Sequence, residues 1–180
     1  MIEHDDSTLA YQNLQPDDIL ETLDDLGFDC NGRILALNSY ENRVYKVGID
    51  DSDNIVAKFY RPGRWSDDAI IEEHEFAEEI AAREIPVIAP VRIDGASLHH
   101  RGPFRLAVYP CAGGRAPELD TSQHIAPLGR FVARMHLVGE TSAFEHRPAI
   151  DIDAYGNESI DFLLSSGFIP ADLEATYKSV

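Results

Sequence analysis

The feature that most restricts the fold is a change of periodicity at residues 110–117 (PCAGGRAP). Ahead of this Gly- and Pro-rich stretch, short apolar runs alternate in the manner of strands; behind it, apolar residues recur only at helical spacing. Strands gathered first and helices last indicate an α+β organisation, or two lobes joined by a flexible connector. Residues 33–37, 43–47 (RVYKV) and 55–60 (IVAKFY) read as strands, and the polar run 50–54 predicts a hairpin turn between the last two. Residues 89–93, 97–100 and 104–109 read as further strands, with Asp94-Gly95 as a tight turn. One helix is expected at 15–26, opened by Pro16, Asp17 and Asp18 and closed by Gly27. A second runs from Ser66, a good N-cap, to about Glu84, where Ile85-Pro86 breaks it. Beyond the connector, 121–137 is expected as an amphipathic helix with Ile125, Leu128, Phe131, Val132 and Met135 on one side and Pro127 near its first turn. Residues 159–165 and 171–178 read as two more helices, with Asp153 as an N-cap.

Charge narrows the function. The 180 residues carry 15 Lys+Arg and 32 Asp+Glu, a formal charge of −17. Such a field repels nucleic-acid backbones and anionic lipid, so neither is expected as a partner of the bulk surface. A local basic site in a cleft can still hold an anion. Residues 1–32 contain nine acids and no Lys or Arg, and 151–180 contain six acids and one Lys. An anion site is therefore expected in the nearly balanced middle. Cys30 and Cys111 stand apart and form no metal-spaced cluster, which suits a reducing compartment. The acidic start lacks signal-peptide chemistry and no apolar run approaches the ~18–20 residues of a membrane span, so a soluble cytoplasmic protein is expected; a monomer is also expected.

Lys58 lies inside the apolar strand Val56-Ala57-Lys58-Phe59. Such a lysine either snorkels at a sheet edge or points into a cleft, as in the V-A-I-K strand of kinases, where it meets the α/β-phosphates. The second role needs a carboxylate from the following helix, which offers Glu72, Glu73, Glu75, Glu78 and Glu79; spacing does not single one out. A phosphate-covering G-x-G-x-x-G is absent. In its place stands LNSYENRVY, where Ser39 and Asn42 offer polar donors; the same run also reads as an ordinary polar turn.

Taken in order, LNSYENRVY, VAKFYRPGRWS, EEHEF, IPVIAPV, GGR, LGRFVARMH and HRP resemble the stress-response kinase A family of bacterial serine/threonine protein kinases, along nearly the whole chain. The resemblance implies a protein-kinase-like fold of the aminoglycoside phosphotransferase and choline kinase type. Residues 1–27 would form an acidic helical lead-in, 28–110 the small lobe, and 111–180 the hinge and first helices of a large lobe. It further implies that Ser39 lies over the ATP phosphates, with Asn42 in the same loop, that Lys58 contacts those phosphates, and that Glu73 orients Lys58. Tyr109 and Cys111 would meet adenine at the hinge. ATP and Mg²⁺ would be the cofactors, and a protein Ser/Thr hydroxyl the acceptor.

The family also carries H-x-D-x-x-x-x-N and a metal-binding Asp. Neither His136-Leu137-Val138 nor His146-Arg147-Pro148 supplies the Asp, and His4-Asp5-Asp6 has Tyr11 in place of the Asn. Asp151 and Asp153 precede the expected catalytic loop and are not read as the metal strand. The catalytic Asp and the metal ligands are therefore expected beyond Val180, and the chain alone is expected not to turn over and to leave apolar surface uncovered. A small-molecule kinase and a non-catalytic acidic binding module are the alternatives. The neighbours His99 and His100 point to opposite faces of a strand and cannot chelate together. His74 and His136 are expected as packing or hydrogen-bonded residues, and Trp65 as an anchor between the strand lysine and the helix. Arg61, Arg64 and Arg115 either add charge near the cleft or pair with the abundant acids.

Overall fold

A computed structural model describes residues 11–179. Its elements are α1 (Pro16–Asp25), β1 (Cys30–Leu37), β2 (Arg43–Ile49), β3 (Ile55–Tyr60), α2 (Asp67–Ala82), β4 (His99–Arg101), β5 (Phe104–Pro110), α3 (Ser122–Gly139), a π-helical turn (Asp153–Asn157), α4 (Glu158–Ser165) and α5 (Glu174–Tyr177). The five strands form one antiparallel sheet in the order β1-β2-β3-β5-β4. Contacts divide the chain into two compact units, the first ending at Ala143 and the second starting at Phe144. Among the described residues no helix is long and apolar enough to cross a membrane.

Alternation in β3 sorts its side chains onto two faces. Ala57 and Phe59 join Val47, Leu106 and Val108 in a core covered by Ile19 and Leu23 of α1, all fully buried. Burying each such branched side chain stabilises the fold by roughly 1.5–3 kcal/mol. On the opposite face Tyr60 and Ala107 pack with Leu98 and with Ile70 of α2. The start of α2 is fixed by Ser66, whose hydroxyl accepts the Ala69 N–H at 3.1 Å, and by Asp67, which accepts from Arg105 of β5 at 2.9 Å. Arg105 and then His100 hold the Asp67 carboxyl below its ordinary pKa.

The other end of α2 is a Schellman closure. Glu84 N–H donates to Ala81 at 3.0 Å and Ile85 N–H to Ile80 at 3.3 Å, which requires Glu84 at φ 55°. Ile80, Ile85 and Val138 of α3 form a small buried cluster there. Arg134 of α3 donates to the Arg83 and Glu84 carbonyls at 3.1 and 3.3 Å, capping the same terminus.

Several expectations require correction. Residues 89–93 are not a strand: Val91 N–H reaches the Val108 carbonyl at 2.7 Å and Ile93 pairs with Ala96, but Pro90, with no N–H, interrupts any continuous ladder. The Asp94-Gly95 turn forms, with both φ angles positive at 51° and 84°. The following strand is displaced to His99–Arg101. Pro127 is not near the first turn but at the sixth position of α3, where it removes the N–H that would reach Gln123. The five apolar residues expected along one side of α3 are all exposed, from 38% at Met135 to 51% at Ile125, and His136 is exposed rather than packed. In the second unit Asp151, not Asp153, caps the helical turn, accepting the Ala154 N–H at 2.8 Å. Asp153 instead accepts from the Asn157 amide. The last helix contracts to α5, because Pro170 starts a separate turn closed by Leu173.

Candidate functional site

Lys58 sits at the centre of the sheet, opposite Val44 of β2 and Ala107 of β5. It is neither an edge residue nor on the α1 face, so it shares a surface with α2. Ser66 sets where α2 begins, and about two turns later Glu73 lies over β3. The Lys58 Nζ–Glu73 Oε1 distance is 2.9 Å, with the lysine side chain 21% exposed and the glutamate 37%. Its neighbours are engaged elsewhere: Glu78 takes Arg92 in two bonds of 2.7 Å, and Glu79 takes Arg83 at 2.7 Å. A half-exposed ion pair of this kind adds about 1 kcal/mol or less to stability, so its effect is mainly to aim the ammonium. Lys58 Nζ also lies 4.4 Å from the centroid of the Tyr60 ring.

Behind the pair is a buried polar cluster that sequence reasoning did not assemble. His74, next to Glu73, is 1% exposed. Its Nε2 lies 2.6 Å from the Tyr60 hydroxyl and 3.4 Å from that of Tyr109, and its Nδ1 lies 2.9 Å from Ser97 Oγ. The two tyrosine hydroxyls are 3.2 Å apart. Burial, partly opposed by the Glu73 carboxylate, lowers the His74 pKa to about 4, so the ring is neutral at pH 7. Burial raises that of Tyr109. The histidine in EEHEF was the available signal, but nothing in its spacing named its partners.

Beyond the reach of α2 the Lys58 face of the sheet stays open among the described residues. By register Leu37, Val44 and Lys58 share it, as do Leu35, Lys46 and Val56. Leu35 is 59% exposed, whereas Val44 and Val56 are half-buried. A groove of about 440 Å³ continues along it, lined by Gly32, Arg33, Leu35, Lys46, Gly48 and Asn54. An apolar floor next to a paired ammonium suits a flat ring carrying an anionic tail.

The LNSYEN turn joins β1 to β2 at the Lys58 end of the sheet. Ser39 donates its hydroxyl hydrogen to the Asn42 carbonyl. Asn42 Oδ1 accepts the Arg61 N–H at 3.2 Å. Glu41 accepts from Trp65 Nε1 at 3.0 Å and from Arg64 Nε at 3.3 Å. Trp65 packs with Tyr60 of β3 and Ile70 of α2, as an anchor between strand and helix, and also ties down this turn; Arg64 pairs with an acid, as does Arg115 with Glu118 at 4.0 Å. At the other end of the sheet the Tyr109 phenol faces His74. The Cys111 amide donates to the Asn54 carbonyl at 3.3 Å, leaving Cys111 only its carbonyl and side chain for a ligand. Among the described residues, Glu118, Asp120 and His124 bring potential metal-binding atoms together, but all three are exposed and His124 already bonds Asp120 at 2.6 Å.

The chain is similar to known proteins along nearly its whole length. The chain is 39% identical over 171 residues to stress response kinase A of Escherichia coli K12 and 36% identical over 172 residues to the serine/threonine protein kinase RdoA of Salmonella typhimurium. These alignments cover 95% and 96% of the chain, which spans about half (52%) of each relative. In fold it matches an amicoumacin kinase solved with AMP-PNP, Ca²⁺ and its substrate (TM-score 0.75, 21% identity, 97% of this chain and 53% of that one). It also matches a microcompartment-associated aminopropanol kinase (TM-score 0.60, 18% identity, 79% and 46%). The model of the phosphotransferase enzyme family matches residues 33–158, which hold the sheet except for the first three residues of β1, the Lys58–Glu73 pair and the helix after the connector, and the chain belongs to that family.

Proposed function

We propose that this chain is the nucleotide-holding part of an ATP-dependent kinase whose acceptor is a serine or threonine hydroxyl of a protein. The observation that carries the reading is the 2.9 Å Lys58–Glu73 pair beside an open apolar sheet face. In this role Glu73 keeps the Lys58 ammonium extended toward the α/β-phosphates, and the lysine neutralises charge there. Leu37, Val44 and Val56 give adenine a surface to lie on. Ser39 and Asn42 hold the covering turn in shape through their mutual bond and the Arg61 link, and backbone amides of that turn meet phosphate oxygens. Tyr109 and Cys111 border the adenine edge, Cys111 through its carbonyl. A divalent cation such as Mg²⁺ supplies further charge neutralisation across the phosphates when bound. Neither its ligands nor the catalytic Asp of the H-x-D-x-x-x-x-N type is found in the sequence of residues 1–180, so these residues alone are expected to hold nucleotide weakly and to transfer no phosphate. Residues 28–110 then act as the small lobe and 111–180 as the hinge and the beginning of the large lobe.

The protein acceptor is supported by the 36–39% identity to kinases named for stress response and for serine/threonine transfer. A second reading, a small alcohol or amine acceptor, is favoured by the two structural matches, both kinases of small molecules. A fluorescent ATP analogue titrated into the wild type and Lys58→Met tests the shared part. Loss of one charged contact to phosphate is expected to weaken binding at least tenfold, about 1.4 kcal/mol. Equal affinity would remove Lys58 from the site. An acceptor screen with γ-labelled ATP on the full-length protein separates the two readings: label on protein supports the first, and label only on small alcohols overturns it.

A further inference from the structure

We propose that His74 and Tyr60 form a latch that positions the Lys58–Glu73 pair, making both of them positioning residues for the phosphate-contacting lysine; the inference rests on the nucleotide reading above. Four groups close a circuit. Lys58 meets Glu73 at 2.9 Å, Glu73 adjoins His74 in the chain, His74 Nε2 meets the Tyr60 hydroxyl at 2.6 Å, and the Tyr60 ring returns to the Lys58 ammonium at 4.4 Å. Tyr60 therefore touches both the lysine and the residue next to its partner.

The packing of α2 shows why such a circuit is needed. Its buried residues are Ala69, Ile70, His74 and Ile80. Ile70 and Ile80 fix the two ends of the helix by apolar contact, which is non-directional and tolerates small rotations. In the turn that carries Glu73 the buried side chain is a polar one. Hydrogen bonds weaken steeply off-axis, so His74 defines a rotation angle where an aliphatic residue would only define a depth. Both ring nitrogens are used, one on Tyr60 of β3 and one on Ser97 ahead of β4, and Tyr109 of β5 backs the first. The ring is thus held from two directions, and Glu73 inherits that orientation. A rotation of α2 by a few tens of degrees would carry the Glu73 carboxylate out of reach of Lys58.

The chain has three lysines, Lys46, Lys58 and Lys178, so amine acylation followed by mass spectrometry reads Lys58 directly and without nucleotide. Glu73→Gln sets the rate of an unpaired Lys58. Tyr60→Phe, which keeps the ring and removes the hydroxyl, and His74→Gln are expected to raise Lys58 acylation toward that rate while Lys46 and Lys178 stay as in the wild type. Both should weaken binding of the ATP analogue toward the Glu73→Gln level. Ser97→Ala, the smallest change, repeats the test where either of the others unfolds. An unchanged Lys58 rate in a folded variant overturns the latch. So does a rise at all three lysines together, which would mean a general loosening of the lobe. A Lys58-selective rise in a chain whose wild type binds no ATP analogue supports the latch and overturns the nucleotide reading instead.

Discussion

His74 makes stability depend on pH in a calculable way. The folded ring titrates near pH 4 because burial disfavours its charge, against an ordinary value of 6.5. Between these values the unfolded chain binds the proton and the folded one does not. This contribution to stability is therefore complete above pH 6.5 and is lost as pH falls toward 4. Integrating between pH 7.5 and 5.0 gives a loss of about 2 kcal/mol from this residue. Urea unfolding followed by the fluorescence of the single tryptophan, Trp65, reads the change, since Trp65 packs in the cluster that contains Tyr60 and Ile70. His99 is shifted in the same direction by partial burial, and Asp67, shifted downward, weakens the fold only once pH drops below the usual carboxylate range. The comparison that isolates His74 is therefore the wild type against His74→Gln. The variant is expected to start less stable at pH 7.5 and to lose about 2 kcal/mol less on going to pH 5.0. Parallel curves for the two proteins would refute the reasoning, because they would mean that His74 is either solvated or charged when folded.

Two further outcomes follow from the backbone and the surface. Glu84 holds a left-handed conformation at φ 55° to close α2, so Glu84→Gly is expected to stabilise the fold by about 1 kcal/mol, read as a higher urea midpoint; a lower midpoint would show that the Glu84 side chain matters more than its backbone. The exposed stripe Ile125, Leu128, Phe131, Val132 and Met135 should bind an environment-sensitive apolar dye, and Leu128→Gln with Phe131→Gln should cut that signal by about half. An unchanged signal would place the dye elsewhere.

The strand lysine, the helix cap at Ser66 and the Asp94-Gly95 turn were legible because each depends on local chemistry. Register was not. RVYKV and IVAKFY announce alternation, but only pairing puts Val44 opposite Lys58 and Val56 opposite Lys46, which is what builds an apolar floor beside the ammonium. Glu73 could not be told from its four acidic neighbours by spacing, since the rotation of α2 depends on His74, Tyr60 and Ser97 meeting across elements. Residues 89–93 form no strand because Pro90 lacks the N–H that a continuous ladder needs. The helix after the connector starts close to where the sequence suggests, with Thr121 as its cap, and that start puts Pro127 at the sixth position, past the first turn where a missing N–H has no cost.

The tether on the LNSYEN turn has a mechanical meaning. A glycine-rich flap swings on its own hinges. This turn is stitched by Glu41 and Asn42 to Arg61, Arg64 and Trp65, and that second loop runs straight into Ser66, where α2 begins. Flap and helix therefore share one mount. Any excursion of the turn over a bound molecule must either rupture those three bonds or pull on the start of α2, two turns ahead of the carboxylate that meets Lys58. Were the proposed nucleotide to sit above the sheet, its occupancy and the alignment of the central ammonium would be one coordinate, a stiff lever rather than a loose lid.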